Sequence, residues 1–170
     1  MLSRLLGRRS DTRASLRPLW RRVVEIAREP QWYAKGGIAD TLAGRFDAIT
    51  LVLALVLLRM EREEQLVPAS ARLTELFVED MDGQMRESGV GDLMVGKHMG
   101  VQMSVLGGRL GAYREALAAT DDKALHEAVL RNVSLIKDGS PNAIAAEIRV
   151  LAAQLAGLSG EALLAGEIAR

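Results

Sequence analysis

The 170-residue chain has no cysteine. That excludes a disulfide scaffold, thiolate zinc sites and thiol catalysis. Aromatic residues make up only 4% of the chain, while 49% is apolar, so any core is built mainly from aliphatic side chains. The only histidines are His98 and His126, on separate predicted helices. Carboxylate-bridged metal bundles use a Glu-x-x-His spacing, which is missing here, so no metal and no cofactor is expected. Long hydrophobic runs are missing too. The longest, residues 48–58, would span about 16 Å as a helix, half of a bilayer's hydrocarbon thickness. No sequence repeat of 20–50 residues occurs, so a solenoid is not expected.

An excess of charge of either sign is absent from the total, which is zero, but not from the segments. Residues 1–28 carry eight arginines against Asp11 and Glu25, a net +6, and the remainder carries −6. The acidic share concentrates in Glu75, Glu79, Asp80, Asp82, Glu87 and Asp92, with Arg86 the single base among them. The first ten residues lack the apolar stretch of a secretory signal. Residues 1–14 are therefore expected to be a basic N-terminal arm, with Arg4, Arg8, Arg9 and Arg13 as membrane or ribosome contacts. A mitochondrial transit peptide is the alternative, since the stretch is Arg-rich and acid-poor.

The rest, residues 15–170, reads as a single all-α domain of about seven helices around a central apolar helix. Leu16, Trp20, Val23, Val24 and Ala27 recur at helical spacing, and Pro30 ends that element. The apolar run 48–58 lacks a polar face and continues into Arg59–Glu64 without a turn signal, as a covered helix would. Leu73, Leu76, Phe77, Met81 and Met85 mark a third helix, closed by Gly89. Between 92 and 118 the expected seam is Met99, Met103, Leu106, Leu110, Tyr113 and Leu117. Asp121-Asp122, Ser140-Pro141 and Ser159 open three more helices.

Chemistry is scarce. Gly107-Gly108-Arg109-Leu110-Gly111 has the wrong spacing for a phosphate loop and follows no strand. No nucleophile, base and acid set suggests a triad, so an enzyme is not expected. The informative features are two segments that a plain bundle would not require. Residues 31–47 hold Trp32, Tyr33 and Phe46, with Asp40 expected as a helix cap and Gly44 as a sharp turn before Arg45 and Asp47. Residues 77–100 bring an acidic helix end to Gly89-Val90-Gly91-Asp92, with Asp92 expected to cap the next helix.

In these segments the chain resembles the ubiquinol-cytochrome c chaperone family, the assembly factors of the cytochrome bc complex (respiratory complex III). The likeness is carried by Trp32-Tyr33, Gly37, Asp40-Thr41 and Gly44-Arg45-Phe46-Asp47. It continues through Asp80-Met81-Asp82, Arg86-Glu87, Gly89-Val90-Gly91-Asp92 and Val95-Gly96-Lys97, then Gly108-Arg109, Ala112-Tyr113 and Ala116-Leu117. The resemblance implies a non-catalytic chaperone that binds newly made cytochrome b and promotes assembly of the complex. By that resemblance, the client- or partner-binding residues are Trp32, Tyr33, Asp40, Arg45, Phe46, Asp47, Asp80, Asp82, Glu87, Asp92, Lys97, Arg109 and Tyr113. It also implies a small partner protein or the ribosome nearby, peripheral membrane contact and no specific nucleic acid. The expected place is the cytoplasmic face of a bacterial inner membrane, or else a mitochondrion. The rival expectation is a helical membrane-surface or lipid- or quinone-binding module that uses residues 48–58 as an apolar pocket.

Overall fold

The computed structural model describes residues 14–170. The arm positions Arg4, Arg8, Arg9 and Arg13 lie outside the described residues. The described chain is all-helical, with α1 (Arg17–Ala27), a π-turn (Gln31–Lys35), α2 (Leu42–Met60), a 3-10 turn (Glu64–Leu66) and α3 (Val67–Glu87). There follow α4 (Asp92–Ala118), α5 (Lys123–Asn132), α6 (Pro141–Ala156) and α7 (Gly160–Leu164). The seven α-helices match the expected number, and among the described residues the only β-type pairing is one bridge, Ile38 with Leu135.

α2 is the centre of the molecule. Every residue from Asp47 to Leu57 is buried, and α1, α4 and α6 pack around it. This corrects the pocket reading of residues 48–58: the run is filled core, and only Ile49, near its start, borders a cavity. No helix among the described residues is long and apolar enough to cross a membrane.

The helix ends differ from expectation in instructive ways. α2 starts six residues before the apolar run. Its cap is Thr41, whose Oγ1 accepts from the Gly44 amide at 3.1 Å, while Asp40 pairs with Arg45 Nε at 2.7 Å. Gly44 makes no sharp turn: a Cβ there would lie 1.9 Å from the Ala39 carbonyl oxygen, so glycine is required by close approach inside the first helical turn. α2 stops at Met60 instead of running on to Glu64, because its last turn serves another helix. Buried Arg59 donates from Nε to Leu155 O at 3.0 Å and from Nη2 to Leu158 O at 2.8 Å, and also binds Glu63. The guanidinium thus binds one carbonyl in the last turn of α6 and one just beyond its end.

Asp92 is the first residue of α4 and caps nothing; its carboxylate turns back to Arg86. Asp122 likewise gives no side-chain cap to α5 and instead accepts from Arg149 Nε at 2.5 Å. Gly89 closes α3 as expected, with φ +83.

Candidate functional site

The buried seam of α4 is Val95, Met99, Leu106, Arg109, Tyr113 and Ala116, with Gln102 partly buried in the same line. Of the expected seam, Met99, Leu106 and Tyr113 are buried, while Met103, Leu110 and Leu117 each give way to the residue before, Gln102, Arg109 and Ala116. The displacement puts an arginine inside. Arg109 Nη2 donates to Asp47 Oδ1 at 2.5 Å, its Nη1 bonds Thr50 Oγ1, and its guanidinium lies 5.6 Å from the centre of the Phe46 ring. Asp47 Oδ2 accepts from the Ser134 amide at 2.8 Å and its hydroxyl at 2.7 Å. One carboxylate therefore ties α2 to α4 and to the loop after α5. The node is closed by protein on all sides, so Asp47 and Arg109 act on the surface only through what they hold in place.

What they hold is the floor of a groove. Above Arg109, Phe46 packs on Phe77 at 6.3 Å between ring centres and faces a cavity of about 880 Å³. One wall comes from the end of α1, the π-turn and the start of α2, with Tyr33, Leu42, Arg45 and Ile49. The other comes from the end of α3 and the first half of α4, with Met81, Met85, Val90 and His98. That volume lies in the range of ligand-sized sites, roughly 300–1,000 Å³. At its mouth Leu42 is 80% exposed. Tyr33 stands on the first wall, its hydroxyl donating to Ala27 O at 3.0 Å. Burial raises its pKa, Asp40 adds to the rise, and Arg45 and Arg28 oppose it. Arg45 holds the Asp40 carboxyl below its ordinary value through their hydrogen bond, but the pair is exposed and adds little to stability.

The expected site residues divide by position. Tyr33, Asp40, Arg45 and Phe46 line the groove. Asp47, Arg109 and Tyr113 lie beneath it, buried. Trp32 is fully buried; its indole donates to Ile26 O at 2.8 Å, and Arg170 sits 5.7 Å from the ring centre. Lys97 is exposed on the outer face of α4. The acids do not form one patch. At 3.6 residues per turn, Asp80 and Glu87 flank the groove face of α3 on one side and Asp82 on the other, with Glu79 behind. Asp82 and Asp92 both bind Arg86. Ser134, Thr50 and Arg59 escaped sequence reasoning because their partners lie far away in the chain. Among the described residues no group of three or more His, Asp or Glu side chains is placed to hold a metal ion.

The described residues form a helical bundle with a polar node buried below an apolar groove. A model of the ubiquinol-cytochrome C chaperone family matches residues 34–170, and the chain belongs to that family. It is also similar to the crystal structure of the Cbp3 homolog from Brucella abortus, with a TM-score of 0.80 and 33% identity over 99% of this chain and 96% of that one. No curated protein sequence matches significantly.

Proposed function

We propose that this protein is a non-catalytic assembly chaperone that captures newly made cytochrome b and promotes its incorporation into the ubiquinol-cytochrome c reductase complex. Family membership supports the chaperone role. One observation carries the site: the two unusual sequence segments, 31–47 and 77–100, supply most of the two facing walls of a single groove. A newly made membrane protein presents apolar helices with basic cytoplasmic-side loops. Phe46, Ile49, Met81 and Met85 offer an apolar floor, and the unbranched methionines adapt to different side chains. Asp80 and Glu87, whose side chains make no ion pair among the described residues, flank the groove where basic client loops would lie. The basic arm, with Arg4, Arg8, Arg9 and Arg13, would rest on an anionic membrane face, each residue contributing about 1 kcal/mol. On this reading the protein works peripherally at the cytoplasmic face of the membrane.

The test is capture of cell-free translated cytochrome b by the full chain carrying Leu42→Asp with Met85→Asp, checked for folding by circular dichroism. Capture should fall sharply while helicity is kept. Undiminished capture by a folded double variant would remove the groove from the reading. In cells, deletion should deplete cytochrome b and the assembled complex while unrelated membrane enzymes persist; unchanged cytochrome b would remove the chaperone reading itself.

A further inference from the structure

Between Gln84 and Val105 the chain forms a helical hairpin, the end of α3 and the first half of α4, in which only Val95 and Met99 are buried. The second half of α4 is different: Leu106, Arg109, Tyr113 and Ala116 anchor it in the core. The hairpin is set off by glycine on both limbs. Gly83 lies inside α3, and Gly107-Gly108 lies at the midpoint of α4. A Cβ added at any of the three would meet nothing within 4 Å, so packing demands glycine at none of them. Glycine in a helix interior weakens it relative to alanine, and paired small residues are where helices bend.

The two limbs are also tied to each other. Arg86 binds Asp82 on its own helix and Asp92 across the turn, so α3's end and α4's start would move as one piece. The inner side of that piece is one whole wall of the groove, carrying Met85, Val90, His98 and Gln102. Gln102 Oε1 is buried and has no hydrogen-bond partner, as expected for a wall whose inner polar group is completed only in another arrangement.

We propose that residues 84–105 are a hinged jaw, which swings on Gly83 and Gly107-Gly108 to open and close the groove while the other wall stays fixed. The other wall is immobile because α2 is held to the core node through Asp47, and the π-turn through buried Trp32. Opening moves two buried side chains, Val95 and Met99, and two half-buried ones, Met85 and Val90, off the core, and closing over an apolar segment re-covers them together with the floor. The jaw controls access to the groove and rests on reading that groove as the client site.

The chain has no cysteine, so two spin labels can be placed cleanly at Glu25→Cys on α1 and Leu93→Cys on the jaw, both exposed and outside the groove lining. The distance distribution should be broad or two-peaked in the full chain and narrow to one peak when Gly83, Gly107 and Gly108 are all replaced by alanine. Amides of 93–105 should exchange at least about tenfold faster than those of 109–117. The triple alanine variant should melt higher than the parent yet capture cytochrome b several-fold less. Gly111→Ala, which also has open space for its Cβ but lies in the anchored half, should raise the melting temperature and leave capture unchanged. A single narrow distance in the parent, or full capture by the triple variant, overturns the jaw. If the parent captures no cytochrome b, the client reading fails while the distance measurement still decides the jaw.

Discussion

Two arginines of this molecule each hold two partners, and they do opposite things. Arg109 joins Asp47 and Thr50 below the groove, where none of the three is more than a tenth exposed. Arg86 joins Asp82 and Asp92 at the tip of the α3–α4 hairpin, in water. The inner pair gave up its hydration to form, so it relies on partners within the fold: the Ser134 donors fill the Asp47 oxygen that Arg109 leaves over, while Arg109 Nε stays without a partner. The outer pair keeps its water and costs little to break. The first fixes one wall of the groove, and the second joins two limbs without anchoring them.

The contrast can be broken first at its strong end. Asp47→Ala leaves a buried guanidinium unpaired and should cost about 3–5 kcal/mol in denaturant unfolding. Asp47→Leu combined with Arg109→Met should recover much of that loss, since an apolar pair leaves no orphaned charge. A double variant no more stable than Asp47→Ala would show that the node contributes more than pairing.

A smaller effect should appear at alkaline pH. Burial raises the pKa of Tyr113 well above its ordinary value, with Asp47 adding to the rise and Arg109 opposing it. The native chain therefore keeps a proton that the unfolded chain releases near pH 10, so stability is complete below that pH and declines as pH rises beyond it. Tyr113→Phe should flatten the decline. It should cost little at neutral pH, because the buried hydroxyl has no hydrogen-bond partner. An unchanged alkaline slope in the phenylalanine variant would move the effect to Tyr33, the other tyrosine, which burial also shifts upward.

The smallest effect belongs to Arg86→Ala. Its melting temperature should stay close to the parent's, and the difference should vanish in high salt. A large loss of stability would mean that the hairpin tip is anchored after all.

Much of this arrangement was legible in sequence because it follows from hydrophobic period. The order of seven helices, the central run at 48–58 and the stop at Gly89 all depend on near neighbours. What escaped depends on distant partners. Asp40 and Asp92 have the right chemistry for caps, but each found an arginine, Arg45 and Arg86, that competes for the carboxylate. Alternate positions of the α4 seam differ from the sequence pattern because Gln102 and Arg109 look like surface residues, and only Asp47, 62 positions away, makes burying Arg109 tolerable. The groove was visible as two odd segments, but no spacing rule says that residues 31–47 and 77–100 face each other.

The π-turn has a consequence for the order in which the molecule is made. Its exit is held by the loop after α5: Ala39 N donates to Ser134 O at 2.8 Å, Ile136 N to Gly37 O at 2.9 Å, and Ser140 N to Gly36 O at 2.8 Å. These bonds join positions about a hundred residues apart, so closing them is slow relative to helix formation. During synthesis α1 to α4 can form while the stretch around Gly36–Ala39 still lacks its partners. The fixed wall of the groove would then become rigid later than the helices that precede it, and the chaperone would gain its own binding site only when residue 140 has emerged.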